Sequence, residues 1–304
     1  MQVPRFKLHA CDADDLAALA LLRDALAALG VPGPLSVVDD RQAPATTDAR
    51  DEVRFLESIA AQVAFGDAEG ALVELERHSV ERPSARGFRA LATTRRAERQ
   101  FAEAAQAIGR AEELARAELA RTLCERARIS VEEDLNDAAM AAFEQARALA
   151  PDLWDPLLGL GSLALHRSNA AAAESYFRQA LTLAKEVPIL SGLGLALAAQ
   201  GRSSEAIGFL DQALKIDPSA QTAIHGLVQA AFQSGEFATA ERRVRGFLEL
   251  HPGNLDLRFT LAGLCCQLGD LQAARDAVEQ IEIFDPAYSG LVELKQKLEG
   301  SQLR

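Results

Sequence analysis

AIGFLDQALKIDP at residues 206–218 and AERRVRGFLELHP at residues 240–252 follow one plan: alanine first, a large apolar residue four places on, proline twelve places on. The apolar residue lies one helical turn beyond the alanine, so both face the same side. Proline, which lacks an N–H and clashes with the preceding turn, ends the helix. Alanines at 71, 104, 139, 173, 206, 240 and 274 extend the pattern with spacings of 33 to 35 residues. Four places after them stand Leu75, Ile108, Phe143, Phe177, Leu210, Val244 and Val278. Pro83, Pro151, Pro218, Pro252 and Pro286 supply the stop in five of the seven units. Gly66, Gly201, Gly235 and Gly269, five places before their alanines, suit a tight turn that asks for positive φ.

A period of about 34 residues built from two helices is the length of a tetratricopeptide repeat, and the chain resembles that family on these residues. The resemblance implies an all-α fold: a right-handed superhelical solenoid of about seven helical hairpins, closed by a C-terminal capping helix. The units are placed at about 52–84, 85–119, 120–153, 154–186, 187–220, 221–254 and 255–288, roughly four fifths of the chain. The last four match best. Unit two has Arg99 and unit three Asp134 where glycine is expected. Unit three also has Arg126 where Leu91, Leu160, Leu193, Leu227 and Leu261 stand elsewhere, so a bend or a shifted register is expected around 116–136. Residues 289–304 read as the capping helix, apolar at Leu291, Leu294 and Leu298 and polar elsewhere. No catalytic domain is expected beyond it.

Residues 1–50 differ in character and read as a capping or adaptor segment. Asp12 or Asp14 can cap a helix over about 14–29, Gly30 stops it, and VPGP at 31–34 turns the chain. Val3–His9 and Leu35–Val38 suit short extended segments, and DDRQAPATTDARDE at 39–52 suits an exposed linker. The expected arrangement is a helix docked on the first repeat, with a separate adaptor as the alternative.

Gly159-Leu160-Gly161-Ser162-Leu163-Ala164 has the G-x-G-x-x-A form of a dinucleotide-binding turn. Such a turn needs a strand before it and an acidic residue about twenty places after it. Here APDLWDP precedes it, and the glycine pair returns as Gly192-Leu193-Gly194 with the repeat period. The pair therefore reads as helix packing, at the position Ala92, Ala127 and Ala262 fill in other units.

Composition removes several function classes. A net charge of −12 argues against general nucleic-acid binding, whose affinity comes from neutralised phosphates. No apolar run is long enough to cross a membrane, and the N-terminus has no signal-peptide pattern, so a cytoplasmic protein is expected. Alanine and arginine usage points to a GC-rich bacterial genome. Cys11, Cys124, Cys265 and Cys266 match no zinc spacing and are expected reduced, with one thiol of the vicinal pair packed and the other facing the groove. His9, Cys11, Asp12 and Asp14 have no second cluster to complete a metal site. No metal and no cofactor are expected. The five histidines fall in different units without a consistent nucleophile, and no H-E-x-x-H, G-x-S-x-G or Walker loop occurs, so no enzyme is expected.

The family resemblance implies that the first helix of each hairpin lines a concave face where peptides or partner segments bind. Positions two, five, nine, twelve and thirteen of each unit project onto it. Arg86, Arg89, Thr93 and Arg96 project from unit two, and Arg121, Cys124 and Arg128 from unit three. Leu158, Ser162 and His166 follow from unit four, and Leu195 from unit five. His225, Gln229 and Phe232 follow from unit six, and Phe259 and Cys266 from unit seven. Ser84 to Arg128 holds ten arginines against six glutamates. These residues suggest an adaptor or assembly factor for a partner with acidic residues beside hydrophobic ones. The lysine–asparagine carboxylate clamp of chaperone adaptors is not reproduced. A self-assembling scaffold, or an accessory subunit presenting substrate to a separate enzyme, is the alternative.

Overall fold

A computed structural model of the chain describes residues 6–10, 35–39 and 47–300, with side chains over 50–296 and at Leu298. The helix expected at 14–29 with its Asp12 or Asp14 cap, Cys11 and the VPGP turn lie outside these residues. Two short strands, β1 (Phe6–Ala10) and β2 (Leu35–Asp39), pair in parallel, with Phe6 opposite Leu35 and Ala10 opposite Asp39. The chain divides into two compact units, Met1–Ala111 and Glu112–Arg304.

In the N-terminal unit, α1 (Thr47–Ala64), α2 (Ala68–Glu81) and α3 (Ala85–Ala97) surround a small core of Ile59, Leu72, Leu75 and Leu91. The linker expected to run to residue 52 ends earlier, since α1 begins at Thr47. Acidic Asp48, Asp51 and Glu52 in its opening turns favour a helix start. Asp67 and Ser84 cap α2 and α3 by accepting from the N–H groups of Gly70 and Gly87.

The division between the units falls inside one helix, α4 (Phe101–Glu132). Where a bend or a shifted register was expected, the second helix of repeat two runs directly into the first helix of repeat three. Arg116 stands where five other repeats have their terminating proline, and no proline follows until Pro151, so nothing in the local sequence stops the helix.

The C-terminal unit continues as hairpins. They are α5 (Asn136–Leu149), α6 (Asp155–His166), α7 (Ala170–Leu183), α8 (Val187–Ala199), α9 (Ser203–Ile216), α10 (Gln221–Ser234), α11 (Phe237–Leu250), α12 (Leu255–Leu268) and α13 (Leu271–Phe284), followed by α14 (Leu291–Gly300). A single core cluster runs from Ala164 to Leu298 and takes in Leu291 and Leu294 of α14. Polar ties bind successive hairpins. Arg243 donates to Asp211 at 2.7 Å, and Arg202 to Glu174 at 2.8 Å.

All seven repeat alanines are buried. The apolar residue one turn later is buried in six repeats; Ile108, at 41% exposed, is the exception. Glycines press on three of the six, Phe143, Phe177 and Leu210. A Cβ on Gly161 would lie 2.6 Å from the Phe177 ring, and so would one on Gly192. Phe177 is thus clasped by the first helix of its own hairpin and by that of the next. Leu210 stands between Gly194 and Gly226 in the same way, at 2.5 and 3.2 Å. Ile108 has no such second wall, because the helix that should fold back over it is the continuation of its own.

The turn between the paired helices is left-handed in every repeat. Gly66, Gly201, Gly235 and Gly269 have φ of 77 to 92°. Arg99, Asp134 and Ser168 occupy the equivalent positions and adopt φ of 58 to 60°. The hairpin imposes this conformation whichever residue is present, at a cost of about 1–2 kcal/mol for a residue with a Cβ.

Candidate functional site

α6 and α8 are almost wholly apolar, with Gly159, Gly161, Gly192 and Gly194 where neighbouring helices press closest. Leu158 and Ser162 of α6 and Leu195 of α8 line a pocket of about 450 Å³, together with Gly192 and the Phe177 ring packed on it. That volume falls in the range of small-ligand and anchor-residue sites. α10 closes the pocket with Ala220, Gln221 and Thr222 at its N-terminus. Ser162 donates to the Leu158 carbonyl at 3.0 Å, and Ser191 to the Val187 carbonyl at 2.8 Å.

Of the projected residues, the pocket gathers Leu158, Ser162 and Leu195. His166, His225 and Gln229 are exposed on α6 and α10 and do not line it. Phe232 is also exposed, with its ring edge-on to Phe237 at 5.4 Å. Phe259 is half-buried under Tyr288 at 5.6 Å, and the Tyr288 hydroxyl donates to Asp256 at 2.5 Å.

Arg86, Arg89, Thr93 and Arg96 stand on α3 in the N-terminal unit, Arg86 and Arg89 half-buried, the other two exposed. Arg121 is exposed on α4. Arg128 is engaged by Glu125 and, at 3.4 Å, by Asp155. Cys124 corrects the projection: it is buried within the core around Phe143 instead of facing a groove. Burial, reinforced by Asp155, pushes its thiol up to about 11, so it packs as a small neutral group. Cys265 is the packed thiol of the vicinal pair, and Cys266 is half-buried beside it.

Several lining residues escaped the projection. Pro188, Ser191 and Thr222 occupy projected positions two and five, so the repeat carried their signal although they were not singled out. Phe177 carried none. It belongs to a second helix and reaches the pocket beside Gly192, where no Cβ covers its ring.

His78 lies against Phe55 at 4.2 Å and His251 against Phe247 at 4.5 Å, both ring contacts of structural kind. Among the described residues no group of three or more His, Cys, Asp or Glu is placed to hold a metal ion. No helix among them is long and apolar enough to cross a membrane.

Profiles of the tetratricopeptide repeat match residues 124–188, 197–247 and 231–298. The chain belongs to the tetratricopeptide-repeat family. Membership makes it a protein-interaction module, and the matched residues contain the pocket except Ser191, Gly192 and Leu195, which fall in the seam between matches. Its fold resembles that of PilF from Pseudomonas aeruginosa, at 17% identity and a TM-score of 0.51 over 62% of this chain and 86% of that one. PilW, a type IV pilus biogenesis factor, is similar at 21% identity and a TM-score of 0.49 over 69% of this chain and 97% of that one. YrrB, a tetratricopeptide-repeat protein with a peptide-binding site, is similar at 15% identity and a TM-score of 0.49 over 57% and 90%. No curated protein matches the sequence.

Proposed function

We propose that the chain is a non-catalytic adaptor or assembly factor that holds a peptide or partner-protein segment along the first helices of its C-terminal hairpins. The observation that carries this reading is the pocket of about 450 Å³ between α6, α8 and α10, lined by Leu158, Ser162 and Leu195. Tightly packed helices leave such openings where side chains are small, and an apolar hollow beside a few polar groups is what an anchored side chain needs. Phe232, His225 and Gln229 on α10 extend the same strip.

Site-specific photocrosslinking tests it. A benzophenone side chain at position 162 is expected to attach to a defined partner segment. The same group at Gln179, exposed on the second helix α7, is not. Capture that is equal at both positions, or that survives Leu195→Glu in a folded variant, would place the interaction elsewhere.

A further inference from the structure

A quarter of the residues in this chain are charged. Yet α8 and α10 contain no Lys, Arg, Asp or Glu. α6 contains one, Asp155, whose carboxylate is engaged by Arg128. Every described residue that lines the pocket is uncharged. Charge is therefore missing from the walls of the hollow in a protein that carries it nearly everywhere else.

A carboxylate or ammonium group brought against such walls is stripped of water and meets no counter-ion, a loss far greater than that of a paired amide. The two hydroxyls add to the discrimination. Ser162 and Ser191 each donate to a carbonyl of their own helix. What they present to a ligand is an acceptor lone pair, suited to a peptide N–H and unfavourable to a carboxylate oxygen. The first N–H groups of α10, which no side chain caps, can donate to a peptide carbonyl; the attraction they would offer a carboxylate is smaller than the cost of stripping it of water beside uncharged walls.

The arginines do not change this balance. No described arginine lines the pocket, and Arg128 is already engaged by Glu125 and Asp155. We infer that the groove selects an uncharged, aliphatic-rich segment of a partner protein, anchored by one large apolar side chain in the pocket. This rests on the groove reading above, and it replaces the acidic-and-apolar partner that the arginine count suggests.

The test pans the full-length protein and its Ser162→Trp variant against a displayed library of random peptides. Position 162 is exposed, so tryptophan plugs the hollow without entering the core. Leu195→Ser serves as a second variant, and circular dichroism checks both folds. Peptides lost on the variants are groove binders, to be synthesised with a fluorescent label.

Their central residues are expected to lack Asp, Glu, Lys and Arg and to include one Leu, Ile, Phe or Met. Changing that anchor to Asp should weaken binding about tenfold or more. Affinity should change less than about twofold between roughly 50 and 500 mM salt, because no ion pair is there to be screened. Groove binders rich in Asp or Glu whose affinity falls with salt overturn the charge inference and leave the groove reading standing. Binders indifferent to both variants, or no enrichment over an unrelated protein, overturn the groove reading as well.

Discussion

Phe177 and Ile108 hold the same place in their repeats, four residues after a buried alanine, and their surroundings are opposite. Phe177 is 1% exposed between two glycine-bearing helices, whereas Ile108 is 41% exposed on α4. The intrinsic preference of these segments for helix does not separate them. The break after the helix does: Lys185 and Arg116 both replace the stop proline, but residues 184–186 end α7 ahead of Pro188 and let α8 return over Phe177, whereas α4 continues through Arg116. A repeat residue is buried by the following turn as much as by its own apolarity, and a missing stop removes one of its walls.

The comparison can be broken most directly by truncation. Phe177→Ala should cost about 3–5 kcal/mol, read from the urea midpoint, and Ile108→Ala about 1 kcal/mol or less, because little buried area is lost. Equal costs would mean that the second wall contributes nothing.

The glycines offer the complementary change. Gly192→Ala drives a methyl into the Phe177 ring and should destabilise by about 1–3 kcal/mol, while Gly109→Ala on α4 meets nothing within 4 Å and should gain up to about 1 kcal/mol of helix preference.

Acid should act on the ties between hairpins. Burial raises the pKa of Asp211, but hydrogen bonds from Arg243 and Lys215 outweigh it and hold the carboxyl below its usual value of 3.8. Its contribution is therefore complete above pH 3.8 and is lost as pH falls through the lower native value. Asp211→Asn should cost about 1–2 kcal/mol at neutral pH and flatten the decline of the urea midpoint below about pH 4.

The smallest effect tests the turns, where the two regions agree. Arg99→Gly and Asp134→Gly should each raise stability by about 1 kcal/mol, and Gly201→Ala should lower it by a similar amount, in thermal unfolding. A loss on Arg99→Gly would show that its side chain has a role outweighing the backbone cost.

Much of this could be read from residues alone. The seven alanines and the glycine turns announced the hairpins, and the return of the Gly159–Gly161 pattern at Gly192–Gly194 announced the helix packing that these glycines make. Helical spacing also put Leu158, Ser162 and Leu195 on one strip. It failed at Cys124, whose projected groove position became core because α5 covers that side of α4. It could not join Phe177 to the pocket, since a side chain on a second helix reaches a first-helix face only where a neighbour lacks its Cβ.

The sequence by itself determined the repeat, its period, the small residues at the contacts and the absence of charge along α8 and α10, because these depend on residue type and spacing. Tertiary structure alone decided that α4 runs unbroken, that Ile108 stays in water, that Arg128 is engaged and that a hollow opens beside Leu158 and Leu195. Each of those depends on which helix returns over which. A helical period fixes the direction of a side chain around its own axis and says nothing about whether a neighbour arrives to cover it.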